Sequence, residues 1–157
     1  MWAKTGSRPR MSRDLRYACT YIFGAVCPAR DTGVALILPY ADTKAMNLHL
    51  KEISAQVPDT SHAVIIIDGA GWHKDGGRLK VPPNITLLRL PAYSPELNAQ
   101  ENIWSYLRQN DLAGRIFDTY DEIVNACCTA WNNLLASTGV ITSIASRDWF
   151  CLPRVIS

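Results

Sequence analysis

The sequence predicts a mixed α/β domain, and three observations support this prediction. Two short apolar runs, 63–67 and 85–90, end at Asp68 and Pro91. Both are rich in β-branched residues, which is typical of parallel strands covered on both faces. Segments with helical apolar spacing precede the first run and follow the second.

The amino-terminal third predicts a hairpin and then a helix. Residues 16–27 and 34–38 are apolar, β-prone runs separated by a turn that contains Pro28 and Gly33. Asp42 is a candidate N-cap, and Pro58 ends the segment that follows it. The apolar positions of this helix have helical spacing: Met46, Leu50, Ile53 and Val57.

Two further helices are predicted after the second apolar run. Ser94 and Pro95 form a start signal for a helix that ends near Asp111. Thr119 and Glu122 form a capping box for the last helix, with Gly139 as its stop. Its apolar stripe comprises Ile123, Cys127, Ala130, Trp131 and Leu134. The apolar tail around 149–150 is expected to pack against the domain.

Composition places the chain among single-domain globular proteins. It has 157 residues, 48% apolar and 19% charged residues, and a net charge of +2, which is too small to argue for nucleic acid. No apolar run approaches a membrane span, and no signal peptide is expected, because the basic residues of the amino terminus are not followed by an apolar core. The five cysteines lack metal-ligand spacing. Cys19 and Cys27 in a strand, and Cys127 and Cys128 in a helix, are predicted to be buried reduced thiols, which fits the cytoplasm.

Two acids are candidates for a shared site. Asp68 stands at the carboxyl end of a predicted parallel strand, where open α/β sheets place their chemistry. Glu101 has helical spacing with Leu97 and Trp104, so it is expected to face inward with them. Because an inward carboxylate needs a compensating charge, the pair predicts a divalent cation such as Mg²⁺.

The stretch 90–104, LPAYSPELNAQENIW, together with Asp68 closely resembles the catalytic core of mariner-like transposases, specifically the bacterial insertion-sequence branch. The resemblance extends from about Trp2 to about Trp131. It implies a ribonuclease H-like mixed sheet flanked by helices and an Asp-Asp-Glu triad that holds Mg²⁺ or Mn²⁺. The implied reaction is cleavage of DNA strands and strand transfer by phosphoryl transfer.

The resemblance also implies roles for individual residues. Asp68 is the second acid of the triad and Glu101 the third. His73 matches a position that contacts substrate phosphate or makes a structural hydrogen bond. Asn98 and Asn102 match positions that brace the loop before the helix or the Glu101 carboxylate.

Each of these residues also has a purely structural explanation. Asp68 alone could cap the turn that follows its strand. Glu101 could pair with Arg108. Trp104 is expected in the core, and Trp72 could be a core residue or could stack on an unpaired base.

The first acid of the triad has no counterpart in the sequence. The segment 2–9 resembles the connection that follows the first strand of the family's domain, so that strand and its Asp are expected just before Met1. No internal acid replaces it well, because the candidates stand in a turn, at a cap or at a helix end, or precede a strand: Asp14, Asp31, Asp42 and Asp59. Residues 1–157 are therefore expected to form one partial catalytic domain without the central first strand and without the upstream helix-turn-helix domains. We expect it to be inactive alone, with two unpaired strand edges.

The amino terminus carries a cluster of five basic residues: Lys4, Arg8, Arg10, Arg13 and Arg16. Such a run is either a solvated terminus or a sequence-neutral contact to the DNA backbone. The implied partners are DNA, at element ends and target, and a second copy or an intact transposase. No membrane is expected, and a bacterial nucleoid location is implied.

Two other classes of protein stay open. One is a non-catalytic DNA-binding or dimerising remnant of a transposase. The other is a nucleotide-binding module built on Asp68 and Gly69 through Gly71, which lacks the third glycine and the lysine of known phosphate-binding fingerprints.

Overall fold

The computed structural model describes residues 19–69, 78–91 and 97–147. In order, the elements are β1 (Tyr21–Cys27), β2 (Thr32–Leu38), α1 (Thr43–Gln56), β3 (Ala63–Ile67), β4 (Ile85–Arg89), α2 (Gln100–Leu107), α3 (Tyr120–Ala136) and α4 (Val140–Ala145). This order confirms the predicted mixed α/β class and adds one short helix, α4, where only a stop at Gly139 was predicted.

Strands β1 and β2 form the predicted antiparallel hairpin, in register from Tyr21 opposite Leu38 to Cys27 opposite Thr32. The connection is a 3₁₀ turn over Pro28–Arg30 followed by Asp31 at φ 49°. Aspartate tolerates this left-handed conformation better than most residues do. The second strand begins at Thr32, two residues before the predicted start, because the turn is completed at Asp31.

Strands β3 and β4 form a parallel pair, in register from Ala63 opposite Ile85 to Ile67 opposite Arg89. The predicted parallel pairing is therefore confirmed. The predicted burial of both faces is wrong, because Val64 is 59% exposed and Leu88 is 50% exposed. Only the alternate face, which carries Ile67 and Ile85, packs into a core.

Two cores lie on opposite faces of the β1–β2 hairpin. Phe23 packs with α1 in one core, and this core also receives Ile67 and Ile85 from the second pair of strands. Ile22 and Val26, on the other face, pack with helices α2, α3 and α4. The alternation of side chains along β1 thus places the hairpin between two helical layers.

The four described strands form two separate two-stranded sheets, β1–β2 and β3–β4, and the described residues contain no hydrogen-bonded pairing between them. Helix α1 packs against both sheets through the same core. Helices α2, α3 and α4 pack against the hairpin instead. The exposure of Val64 and Leu88 follows from this uneven coverage.

Both predicted caps are confirmed. The Asp42 carboxylate accepts a hydrogen bond from the backbone N–H of Ala45 at 2.8 Å, and the Thr119 hydroxyl accepts one from the N–H of Glu122 at 3.2 Å. The Glu122 carboxylate accepts from the N–H of Asp118 at 2.8 Å. Each cap satisfies an N–H group that a helix leaves without an internal partner.

The cysteine predictions are partly wrong. Cys127 is buried, and burial, with a smaller contribution from Cys128, raises the pKa of its thiol. Cys19 and Cys27 are exposed, because one precedes β1 and the other is its last residue beside the turn. These four thiols are free. The apolar tail at 149–150 lies outside the described residues.

Candidate metal and DNA site

Asp68 directly follows β3, and its residue is exposed. The backbone N–H of Leu90 donates to the carbonyl of Ile67 at 2.8 Å, so the parallel pairing continues to the last residue before Asp68. A Cβ atom added at Gly69 would meet nothing within 4 Å. The carboxyl end of β3 is therefore exposed to solvent at Asp68 and Gly69.

Glu101 is the second residue of α2 and is exposed, which corrects the predicted inward position. The buried residues of this helix are Ile103 and Leu107, while Trp104 is half-buried beside them. The prediction chose the stripe through Leu97, but α2 begins only at Gln100 and Leu97 precedes it. Because Leu97 lies outside α2, its spacing to Glu101 did not predict which face of the helix is buried.

The two candidate acids are held by different parts of the fold. Asp68 ends β3 in the second sheet, whereas Glu101 is carried by α2, which packs against β1, α3 and α4. A carboxylate in the first turn of a helix is favoured by the positive end of the helix dipole. No described residue hydrogen-bonds to the Glu101 carboxylate, and the predicted alternative pairing with Arg108 is not observed between these two described residues.

The two asparagines of the motif have separate structural contacts. The side-chain oxygen of Asn98 accepts a hydrogen bond from the N–H of Gln100 at 3.1 Å, which braces the start of α2. The side-chain nitrogen of Asn102 donates to the carbonyl of Ile144 at 2.7 Å, which ties α2 to α4. Asn98 therefore lies beside the Glu101 turn, while the amide of Asn102 points to a different helix.

Several predicted site residues lie outside the described part of the chain. They are His73, Trp72 and the basic residues Lys4, Arg8, Arg10, Arg13 and Arg16. The predicted helix start at Ser94 and Pro95 also lies there.

The donor chemistry of the two acids fits a hard divalent cation, since carboxylate oxygens are the ligands that Mg²⁺ prefers in proteins. Within residues 19–69, 78–91 and 97–147, however, no group of three His, Cys, Asp or Glu side chains could hold a metal ion. The described site thus offers two candidate ligands on separate elements. It does not offer a closed cage.

A polar clamp that the sequence analysis missed holds the segment before β4 against α1. The Asn47 side chain donates to the carbonyl of Arg78 at 3.0 Å and accepts from the N–H of Lys80 at 2.7 Å. Ser54 and Asn84 exchange two further hydrogen bonds, of 2.7 and 3.1 Å. The only sequence signal is a pair of polar residues, seven apart, on one helix.

No described helix combines the length and apolar character that crossing a membrane requires. This finding concerns residues 19–69, 78–91 and 97–147 alone.

Comparisons with known proteins give one family and one relative. The family described as DDE superfamily endonuclease matches residues 1–124. An uncharacterized protein, y4pE/y4sA of Sinorhizobium fredii (strain NBRC 101917 / NGR234), is 55% identical over 129 residues, which cover 82% of this chain and 95% of that protein. No solved structure matches. The match over most of the chain, together with the acid at the end of a parallel strand, establishes that this chain belongs to the DDE superfamily endonucleases.

Proposed function

We propose that this chain is part of the catalytic domain of a mariner-like transposase from a bacterial insertion sequence. Such a domain cleaves DNA strands and transfers them by metal-dependent phosphoryl transfer. The observation that supports this proposal most strongly is the position of Asp68, which is exposed directly after the last residue of a parallel strand pair. Open α/β sheets bind ligands at this edge.

In this proposal Asp68 and Glu101 hold Mg²⁺ or Mn²⁺, with Asp68 as the second acid and Glu101 as the third. The metal ions, when bound, supply Lewis-acid stabilisation of the attacking and leaving oxygens of a phosphodiester. Asn98 orients the first turn of α2 through its bond to the N–H of Gln100 and so sets the position of Glu101. Asp68 is exposed at the end of its strand, where a DNA strand would reach it.

We infer that the complete domain is ribonuclease H-like and that a fifth strand lies between β1 and β3. The division of the described strands into two sheets supports this inference, because each sheet then has an edge that can accept a central strand. Helix α1 already packs against both sheets through one core. In this proposal the first acid of the triad stands on that central strand.

Binding of Mn²⁺, measured by electron paramagnetic resonance on the full chain, tests the two ligands. We expect Asp68→Asn and Glu101→Gln each to weaken Mn²⁺ binding at least about tenfold, because loss of a direct ligand costs no less than loss of an outer partner. The matched control is Asp59→Asn, which removes an exposed carboxylate after α1. Equal affinity in all four proteins would refute the assigned site.

Cleavage tests the reaction itself. The DNA upstream of the Met1 codon is translated in three frames, and we expect an apolar run that ends in Asp shortly before Trp2. The protein extended by that run should nick supercoiled plasmid with Mg²⁺ or Mn²⁺, and Glu101→Ala should abolish nicking. Full cleavage by the extended Glu101→Ala protein would refute the proposal.

A different result would identify a non-catalytic remnant. In that case the chain binds DNA in a salt-dependent manner, while neither metal nor Asp68→Asn changes the affinity. No strand ending in Asp would then be found upstream.

A further inference from the structure

A groove with a volume of about 560 Å³ lies between α1 and the segment that leads into β4. Three lysines line it: Lys44, Lys51 and Lys80. The other lining residues are the exposed apolar residues Leu48 and Val81, with Asn47 and Pro82. Lys44, Leu48 and Lys51 are spaced by four and three residues, so they form one outward stripe of α1. Lys80 approaches from the opposite wall.

The wall that carries Lys80 is held in place by the clamp described above. The Asn47 amide bonds both the carbonyl of Arg78 and the N–H of Lys80, so it fixes the backbone on either side of Leu79. Leu79 packs against the α1 core. The position of the Lys80 backbone relative to α1 is therefore set before any ligand binds.

The charge in the groove is of one sign. None of the described residues that line it is acidic. Lysines on a helix surface are usually solvated and paired with acids at helical spacing. Here all three lysines of the described ranges converge on one groove, whose positive potential suits a polyanion.

The groove extends along α1 away from the start of β3. Asn84, bonded to Ser54, accepts a hydrogen bond from the N–H of Ala63, so the carboxyl-terminal part of α1 lies at the start of β3. Because α1 advances about 1.5 Å per residue, Lys44 lies about 15 Å along the helix from Ser54, at the end of α1 that is away from the start of β3.

The spacing of the lysines matches a nucleic-acid backbone. Lys44 and Lys51 are about 10 Å apart along the helix axis, from seven residues at about 1.5 Å each. One DNA strand carries a phosphate about every 3.4 Å of its axis, so the stripe spans about three consecutive phosphates.

We propose that this groove, lined by Lys44, Lys51 and Lys80, binds the phosphate backbone of the DNA that enters the active site. The proposal rests on the proposed transposase function and adds a contact surface to it. The groove supplies sequence-neutral affinity along α1. Asn47 is a positioning residue, since it holds the backbone of Lys80.

Fluorescence anisotropy of a labelled DNA duplex, titrated with the full chain at several salt concentrations, tests this proposal. The double variant Lys44→Gln/Lys51→Gln should reduce the slope of log affinity against log salt by about 1.8, since each phosphate contact contributes about 0.9. The matched control is Arg30→Gln/Arg115→Gln, which removes two exposed charges that do not line the groove and should leave the slope near that of the unsubstituted chain. Glutamine is nearly as good a helix former as lysine, so α1 should remain folded.

A double-mutant cycle tests the positioning role of Asn47. Asn47→Ala should weaken DNA binding in the natural sequence and have little further effect when Lys80→Gln is also present. A general loss of stability would instead weaken binding by the same factor in both backgrounds, and that result would overturn the assignment of Asn47.

Other outcomes would overturn the groove as a DNA site. Equal slopes for the lysine double variant and the natural chain would do so, as would equal losses in the lysine and arginine double variants. Loss of self-association in sedimentation without loss of DNA binding would assign the groove to a protein contact. Mn²⁺ binding separates this proposal from the one above, because the lysine variants should retain it while Asp68→Asn should lose it.

Discussion

The carboxylate of Asp31 accepts a hydrogen bond from the backbone N–H of Thr142 at 3.1 Å. The same carboxylate accepts from the N–H of Gly139, and the Thr142 hydroxyl donates to the carbonyl of Pro28 at 2.6 Å. A residue of the first hairpin thus caps the last helix, 111 positions later in the chain. The cap fixes α4 to the β1–β2 turn, and α4 also packs against α2.

Asp31→Ala should therefore lower the thermal midpoint of unfolding. It removes the acceptor of two N–H groups at the start of α4 and places alanine at φ 49°. Circular dichroism melting measures the effect. Asp31→Asn is the control, since asparagine tolerates this backbone conformation and keeps one acceptor oxygen. A midpoint for Asp31→Ala at or above that of the asparagine variant would contradict the capping role.

The same contact predicts a pH dependence. The backbone N–H groups of Gly139 and Thr142 hold the pKa of Asp31 below its usual value of 3.8. Because the folded-state pKa is lowered, the stabilisation is fully present above the unfolded value and is lost as pH falls through the lowered pKa. Denaturant unfolding of the natural chain and of Asp31→Asn should show a stability difference that shrinks on acidification. A difference that does not change with pH would count against this linkage.

Gly24→Ala should destabilise the domain. A Cβ atom at this position of β1 would lie 2.7 Å from Cη2 of Trp104 and 2.9 Å from Cη2 and Cζ3 of Trp131. These indoles pack tilted, with ring centroids 6.4 Å apart, so relief requires that an aromatic ring shift. The free energy of unfolding should fall by about 1–3 kcal/mol, as for other overpacked cores.

Gly69→Ala is the matched control for Gly24→Ala in denaturant unfolding. A Cβ atom at Gly69 meets nothing within 4 Å, and replacement of glycine reduces the entropy of the unfolded chain. Its stability should be equal to or slightly above that of the natural chain. Equal free energies of unfolding for Gly24→Ala and Gly69→Ala would show that Trp104 and Trp131 do not lie this close to Gly24.

Asn102→Ala separates a structural role from a metal-site role. Loss of the 2.7 Å bond to the carbonyl of Ile144 should lower the free energy of unfolding by about 0.5–1.5 kcal/mol. Because this amide links α2 to α4, Mn²⁺ affinity should be unchanged. A normal stability with weakened Mn²⁺ binding would show that Asn102 acts on the acids instead.

Local signals in the sequence were sufficient for most of the elements and several of their ends, although they missed α4 and the first two residues of β2. The strand before Asp68 was predicted with its observed bounds, and the caps at Asp42 and Thr119 form the predicted bonds. Each of these features depends on residues within about four positions of one another, through alternation along a strand or one hydrogen bond across a helical turn. The motif 90–104 likewise lies within one short stretch, and it indicated the family that the comparisons establish.

The tertiary structure decided which faces are covered and which distant groups meet. Glu101 is exposed because the buried stripe of α2 runs through Ile103 and Leu107, and Val64 and Leu88 are exposed because the later helices pack on the other sheet. The Asp31 cap and the Asn47 clamp join residues 111 and 33 positions apart. Periodicity within a segment specifies that one side is apolar, but only the packing of the other segments specifies what that side contacts. For this reason the sequence determined the strands, the caps and the candidate acids, while the three-dimensional arrangement alone placed the lysines around one groove.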